Sequence, residues 1–171
     1  LSLSYYFKKV YGFDISVDMI KDAENNKKRL TKLRKDFKSD SVIFKTGSFY
    51  DKLETNDGEL NDVILMINSL HYSKLDSVEL ILNNLLNQLV NNGLIIIIEP
   101  SDDAIFGDDR LNKYGELRKN KMKEINRTRV ELNKFIDTSS RIKTLFNEDI
   151  IFNDRNVLYR VVMKKEVEEE K

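Results

Sequence analysis

The chain has 171 residues, with 29 lysines and arginines against 29 aspartates and glutamates, an apolar fraction of 40% and no cysteine. Length and apolar content suit one globular domain with a real core, and the balanced charge leaves no overall field to hold nucleic acid or an anionic membrane surface. Without cysteine there is neither a disulfide framework nor a thiolate zinc site, which fits a reducing, cytoplasmic setting, and no stretch is long enough to span a bilayer.

The first ten residues carry Lys8 and Lys9 after their apolar part, the reverse of a secretory leader. Leu3 to Lys9 reads as the last turns of a helix packed on a sheet, and a chain that opens on Leu1 is expected to be part of a longer product. Val10 to Phe13 then reads as a strand with Asp14 at its carboxyl end. Ser16 is a good N-cap and Asp18 sits in the first turn of a helix predicted over Val17 to Phe37, with Ile20, Ala23, Leu30 and Leu33 as its apolar side. Lys27, Lys28, Arg29, Arg34 and Lys35 are expected on its solvated side. In open α/β sheets ligands lie beyond the carboxyl ends of strands, and an acid just before a helix often accepts hydrogen bonds from a ribose diol. Asp14 suits that role, and it suits a plain turn-capping role equally well.

Ser41 to Lys45 reads as a second strand that runs into Thr46-Gly47-Ser48-Phe49-Tyr50-Asp51, and Asn56-Asp57-Gly58 is a turn signal. Asp62 to Ile67 is almost wholly apolar, as expected of a parallel strand covered on both faces, and it leads into Asn68-Ser69-Leu70-His71-Tyr72. Asp76 and Glu79 form a capping-box-like start. From there Val78, Ile81, Leu82, Leu85, Leu86 and Leu89 keep to one helical face until Gly93. Leu94 to Ile98 is a fourth strand, which Glu99-Pro100 should end because proline has no amide to continue a ladder. Strand and helix alternate, which predicts an α/β fold with a mainly parallel sheet flanked by helices.

Beyond Pro100 the rhythm changes. Ser101 to Asp109 suits a loop, and Arg110 to Phe135 has helix-forming composition with sparse apolar residues at Leu111, Leu117, Met122, Ile125, Val130, Leu132 and Phe135. Arg110 to Lys143 is the one locally basic region, and its interspersed acids and lack of stacking aromatics favour a solvated helix face over a nucleic-acid surface. Ile150-Ile151-Phe152, the turn-like Asn153 to Asn156 and Val157 to Met163 read as an antiparallel hairpin. One domain over residues 1–164 followed by a charged tail over 165–171 is the simplest division.

In order, Asp14 after its strand, the Gly47-Ser48-Phe49 turn, the Asp62 to Tyr72 strand and loop, and the Asn91-Asn92-Gly93-Leu94 turn resemble class I S-adenosylmethionine-dependent methyltransferases. The resemblance covers about Leu3 to Pro100, and the terminal hairpin matches the family's antiparallel last strands. It implies a Rossmann-like sheet, S-adenosylmethionine as cofactor, and methyl transfer to a nitrogen or oxygen of a small molecule. Asp14 would hold the ribose hydroxyls, Ile15 and Met19 would flank the adenine, and Ser48 with Phe49 would complete the cofactor side, Ser48 standing where the family usually has an acid. Asn68 would lie near both donor and acceptor, and Asn68, His71 and Tyr72 would form the catalytic group. His71 has a structural reading beside that of a general base, although histidine is the residue type suited to proton removal at neutral pH.

The departure from the family is the missing G-x-G-x-G loop, since Gly12, Gly47, Gly58, Gly93, Gly107 and Gly115 are all isolated. If the family's first strand is absent too, a place stays unfilled between the Val10 and Asp62 strands of an N-terminally truncated sheet. Two other functions follow from these departures and from the basic segment: a catalytically silent methyltransferase-like module that binds a protein, and an RNA methyltransferase guided by Arg110 to Lys143. A nicotinamide-dependent enzyme is disfavoured, since its glycine fingerprint is absent too.

Overall fold

The computed structural model describes residues 1–53, 55, 58–73, 77–101, 115–153 and 156–167, with backbone alone at 115–119, 121, 122, 152, 153 and 156. Its contacts fall into two compact units, Leu1–Glu59 and Leu60–Lys171, where the sequence suggested one domain over 1–164. The sequence features at Asn56 and Asp57, at Asp76, from Asp102 to Tyr114, at Asp154 and Arg155, and over 168–171 lie outside the described residues.

The first unit holds strands β1 (Val10–Asp14) and β2 (Val42–Thr46), paired in parallel from Val10 with Val42 to Asp14 with Thr46. Gly12 belongs to this pairing by necessity, because a Cβ there would meet the Phe44 ring at 2.6 Å. Helix α1 (Val17–Leu33) starts as predicted, with the Ser16 hydroxyl accepting from the Met19 amide at 3.3 Å. It ends four residues before Phe37. Arg34 turns to extended backbone, which lets Phe37 be buried on its own account. No residue of α1 is buried, and Lys27, expected in solvent, is half-buried and donates to the Val42 carbonyl at 2.7 Å. The amino-terminal segment forms a 3-10 turn over Ser2–Tyr5 with Ser4 buried and Tyr6 exposed, not the end of a packed helix; so short a turn has no continuous apolar stripe to bury.

The second unit is a four-stranded sheet in the order β3-β4-β6-β5, comprising β3 (Asn61–Ile67), β4 (Leu89–Pro100), β5 (Ile142–Asn153) and β6 (Asn156–Lys165). β3 and β4 are parallel, while β6 is antiparallel to both of its neighbours. The strands at 10, 42, 62 and 94 therefore form two sheets, β1 with β2 and β3 with β4, and not one ladder. β3 also departs from the expectation of cover on both faces. It is an edge strand, with Met66 buried on one side and Leu65 and Ile67 exposed on the other.

Helix α2 (Val78–Leu86) buries every apolar residue of its predicted stripe within its length, and Leu89 is buried too, but in β4. The helix stops well before Gly93 because the Gln88 carbonyl is taken by the Asn61 amide and side chain, at 2.8 and 3.0 Å, which turns the chain into the sheet. Burying each of these leucines contributes about 1.5–3 kcal/mol. β4 ends at Pro100, opposite Leu158, as the sequence suggested, and Pro100 stands beyond the last β3 pairing, Ile67 with Ile98. Helix α3 (Gly115–Thr138) buries Ile125, Thr128, Leu132 and Phe135 and leaves Val130 exposed. The hairpin is present, but β5 begins at Ile142, eight residues before the predicted start, and a register shift between Thr144 and Phe146 hides its alternation.

Asn91-Asn92-Gly93 forms an irregular excursion within β4, since β3 advances from Asn61 to Val63 while β4 advances from Leu89 to Leu94. Asn92 takes φ 65, and a Cβ on Gly93 would meet the Val90 and Asp62 carbonyl oxygens at 2.9 and 3.1 Å. Backbone cannot swing away as a flexible side chain does. Gly93→Ala should therefore destabilise the fold by about 1–3 kcal/mol, seen as a lower urea midpoint at unchanged slope. Equal or greater stability would show that the turn relaxes freely.

Candidate active site

Two groups of predicted site residues occur, one in each unit. In the first unit, the parallel register carries Asp14 to the end of β1 beside Thr46, and the Gly47 amide donates to the Asp14 carbonyl at 3.0 Å. The Asp14 carboxylate accepts the Ser16 amide on Oδ1 at 2.8 Å, so it does help cap the turn. Its Oδ2 has no recorded partner among the described residues. Ile15 is 77% exposed and Met19 57% exposed, so an acceptor oxygen is flanked by apolar side chains left in water. Ser48 closes a local turn, its hydroxyl accepting from the Tyr50 amide at 3.2 Å, and the half-buried Phe49 rests its ring on Tyr50, centroids 4.9 Å apart. Asp14, Ile15, Met19, Ser48 and Phe49 thus come from the neighbouring carboxyl ends of two parallel strands.

In the second unit, Asn68 to Tyr72 follow the carboxyl end of β3, with a 3-10 turn over Leu70–Tyr72. Asn68 is exposed and takes φ 50, a conformation uncommon outside glycine and best tolerated by asparagine. Tyr72 is 64% exposed, with its ring 4.0 Å from that of His71. His71 is different: it is 2% exposed, and its Nδ1 contacts a carboxylate oxygen of Glu99. The sequence offered a base reading and a structural reading for this histidine, and its burial against Glu99 is what the structural one requires.

Glu99 is the residue the sequence analysis missed. Read in alternation, Ile95, Ile97 and Glu99 share one face of β4, and all three are buried. An acid following two isoleucines at that period had to be buried and therefore partnered. Beside it lies a small cavity lined in part by His71, Thr128, Arg129 and Tyr159. Arg129 stacks over the Tyr159 ring at 4.2 Å and pairs with Asp149 at 3.0 Å, while Ser101 donates to the other oxygen of Asp149 at 2.8 Å. The Tyr159 hydroxyl lies against the amide oxygens of Asn133 and Asn147. Burial pushes the Tyr159 phenol above its ordinary 10.0, a direction that the nearby Arg129 charge only partly opposes. No group of three or more residues able to hold a metal ion occurs among the described residues. Among them, too, no helix is long and apolar enough to cross a membrane.

A family profile described as a methyltransferase domain matches residues 1–97, more than half of the chain. The chain belongs to the class I S-adenosylmethionine-dependent methyltransferases. Among solved structures, an S-adenosylmethionine-dependent methyltransferase from Methanosarcina mazei superposes with a TM-score of 0.66 at 15% identity, over 94% of this chain and 83% of that one. The N-methyltransferase NodS from Bradyrhizobium japonicum WM9 gives 0.57 at 10% identity, over 97% and 78%. The same enzyme in complex with S-adenosylhomocysteine gives 0.56 at 12%, over 96% and 70%. No curated protein matches in sequence. At these identities the superpositions show the fold, and the family carries the cofactor, S-adenosylmethionine. The methyltransferase's first unit fits that molecule's adenosine part, with an acceptor oxygen for a diol beside exposed apolar side chains for a base.

The Tyr159 environment gives a pH test. Because folding raises the phenol's pKa, the unfolded chain releases this proton first, and stability is lost as pH rises above 10.0. Tyr159→Phe should cost about 1 kcal/mol at neutral pH from its lost hydroxyl contacts. Its deficit relative to the parent should shrink above pH 10.0 in urea titrations. A deficit independent of pH would contradict the shift.

Proposed function

We propose that this methyltransferase moves a methyl group from S-adenosylmethionine to a nitrogen or oxygen of a small molecule. The cofactor supplies an electrophilic sulfonium methyl, and in-line displacement there needs alignment and desolvation more than a covalent intermediate, so the lack of a nucleophile motif is no obstacle. Asp14 accepts hydrogen bonds from the ribose diol through its open oxygen. Ile15 and Met19 cover the adenine, and Ser48 and Phe49 extend that side. Within the second unit, Asn68 and Tyr72 are the exposed residues assigned to the transfer step, and the buried His71 packs its ring against that of Tyr72.

The observation that carries the reading is the Asp14 carboxylate, held by Ser16 through one oxygen only and set between exposed Ile15 and Met19. The choice of a small acceptor is supported by the basic segment. Within Arg110 to Lys143, Arg127 donates to the Ser73 carbonyl at 2.6 Å, Arg129 pairs with Asp149, and Arg141 donates to Asn83 and Asn87 at 3.3 and 2.8 Å. Those three guanidiniums are engaged within the fold, which weakens the case for an RNA acceptor. The N-methyltransferase among the superposed structures is in keeping with a nitrogen acceptor.

Calorimetric titration with S-adenosylhomocysteine tests the reading. Loss of a charge-assisted contact costs about 1.5–3 kcal/mol, so Asp14→Ala should weaken binding by roughly ten- to a hundredfold. Equal affinity in parent and variant would remove Asp14 from the site, and a parent that binds no S-adenosylhomocysteine would favour the silent, protein-binding module.

A further inference from the structure

We propose that Glu99 is the positioning residue of the transfer loop, holding Asn68 to Tyr72 in place and fixing the tautomer of His71; this rests on the reading that the loop faces the methyl donor. Four consecutive residues of the loop are tied to the end of β4. The Asn68 amide donates to the Ile98 carbonyl at 2.8 Å. The amides of Ser69 and Leu70 donate to Glu99 Oε1 at 2.9 and 2.7 Å, and His71 Nδ1 lies on Glu99 Oε2. The far end is held separately, by Arg127 on the Ser73 carbonyl.

Glu99 is 3% exposed, so its carboxylate has left water and must be repaid by donors, and the recorded ones all come from this loop. The dependence runs both ways. Asn68 is held in a left-handed conformation that is sparsely populated without surrounding restraint. The Tyr72 ring lies against that of His71, centroids 4.0 Å apart. A single carboxylate therefore holds Ser69, Leu70 and His71, the three residues that lie between the two exposed ones. It also sets the histidine's proton. With Nδ1 on a carboxylate oxygen, the proton belongs on Nδ1, and a second proton on Nε2 would be a buried donor with no acceptor among the described residues. When the ring carries one proton, that proton sits on Nδ1.

His71 is the only histidine in the chain, so its 15N imidazole signals need no assignment. The full chain, E99Q and E99A are compared by those signals, by amide exchange at Ser69 and Leu70, and by S-adenosylhomocysteine titration. E99Q still offers an oxygen to both amides but turns an N–H toward Nδ1. It should keep amide protection while shifting His71 to the Nε2–H form. E99A should lose protection at both amides, with α2 still protected, and bind S-adenosylhomocysteine about tenfold more weakly, E99Q recovering part of that loss.

Unchanged protection at Ser69 and Leu70 in folded E99A, or an Nδ1–H signature in E99Q, overturns the proposal. So does parental affinity in E99A while Asp14→Ala binds weakly, and in that case the donor reading stands. A parent that binds no S-adenosylhomocysteine overturns both. Should E99A lose protection in α2 as well, and so fail to fold, E99Q decides alone through its two predicted and opposite responses.

Discussion

The second unit depends on the desolvation of one strand. β4 has a sheet neighbour on each side, and its Ile95, Ile97 and Glu99 face is closed to water. The first two of these residues gain free energy by that closure and the third loses it, since a carboxylate taken out of water is costly unless donors replace the solvent. What makes the burial tolerable is register. Because β3 and β4 run in parallel with Ile67 opposite Ile98, the chain leaving β3 passes the end of β4 and delivers two successive amides to Glu99 Oε1. A shift of one residue would present β4's other face and leave the acid unpartnered. The same constraint that builds the core thus shapes the loop after β3.

The first unit uses the same parallel geometry to the opposite end. There too the residues of interest lie just past adjacent carboxyl ends, Asp14 beside Thr46. In this unit, however, the polar group is only half-buried and its apolar neighbours are in water, whereas in the second unit the polar groups are buried. Exposed apolar surface around a carboxylate with spare acceptor capacity suits a ligand that brings both a flat base and hydroxyl donors. Buried polar groups satisfied by their own chain suit support. That contrast is the basis for proposing Asp14 for binding and Glu99 for positioning, although both are acids at the ends of strands.

Much of this was legible in the residues, for identifiable reasons. The 3.6-residue stripe from Val78 to Leu86 and the apolar runs at Asp62 and Leu94 are signals of burial, and burial is what the structure shows for the stripe. Ser16 is legible because a cap is a local interaction, complete within three residues. The misplacements come from non-local competition. α2 ends where Asn61 captures the Gln88 carbonyl, a partner 27 positions away in sequence, and α1 ends where burial of Phe37 outweighs continued helix. β5 was mostly hidden because an edge strand carries polar residues on its open side and the irregularity at Leu145 breaks what alternation remains. In the candidate site, the strand-acid-helix order at Asp14 was readable because it is local, whereas the burial of Glu99 depends on which face of β4 is covered, and that is set by partners distant in sequence.

The basic segment shows the same limit applied to charge. Counted along the chain, Arg110 to Lys143 is cationic, and a count cannot say where guanidinium groups point. In the fold, Arg127 holds the end of the transfer loop, Arg141 bridges two side chains at the end of α2, and Arg129 joins Asp149 to the ring of Tyr159. An arginine already bidentate or stacked within its own chain must break those contacts before it can release a counterion to a phosphate. Among the described lysines of this stretch, Lys123, Lys134 and Lys143 stand in water, with Glu124 and Asp137 exposed among them. Among the described residues, then, the arginines of this stretch are engaged in fastening the helix and hairpin to their surroundings.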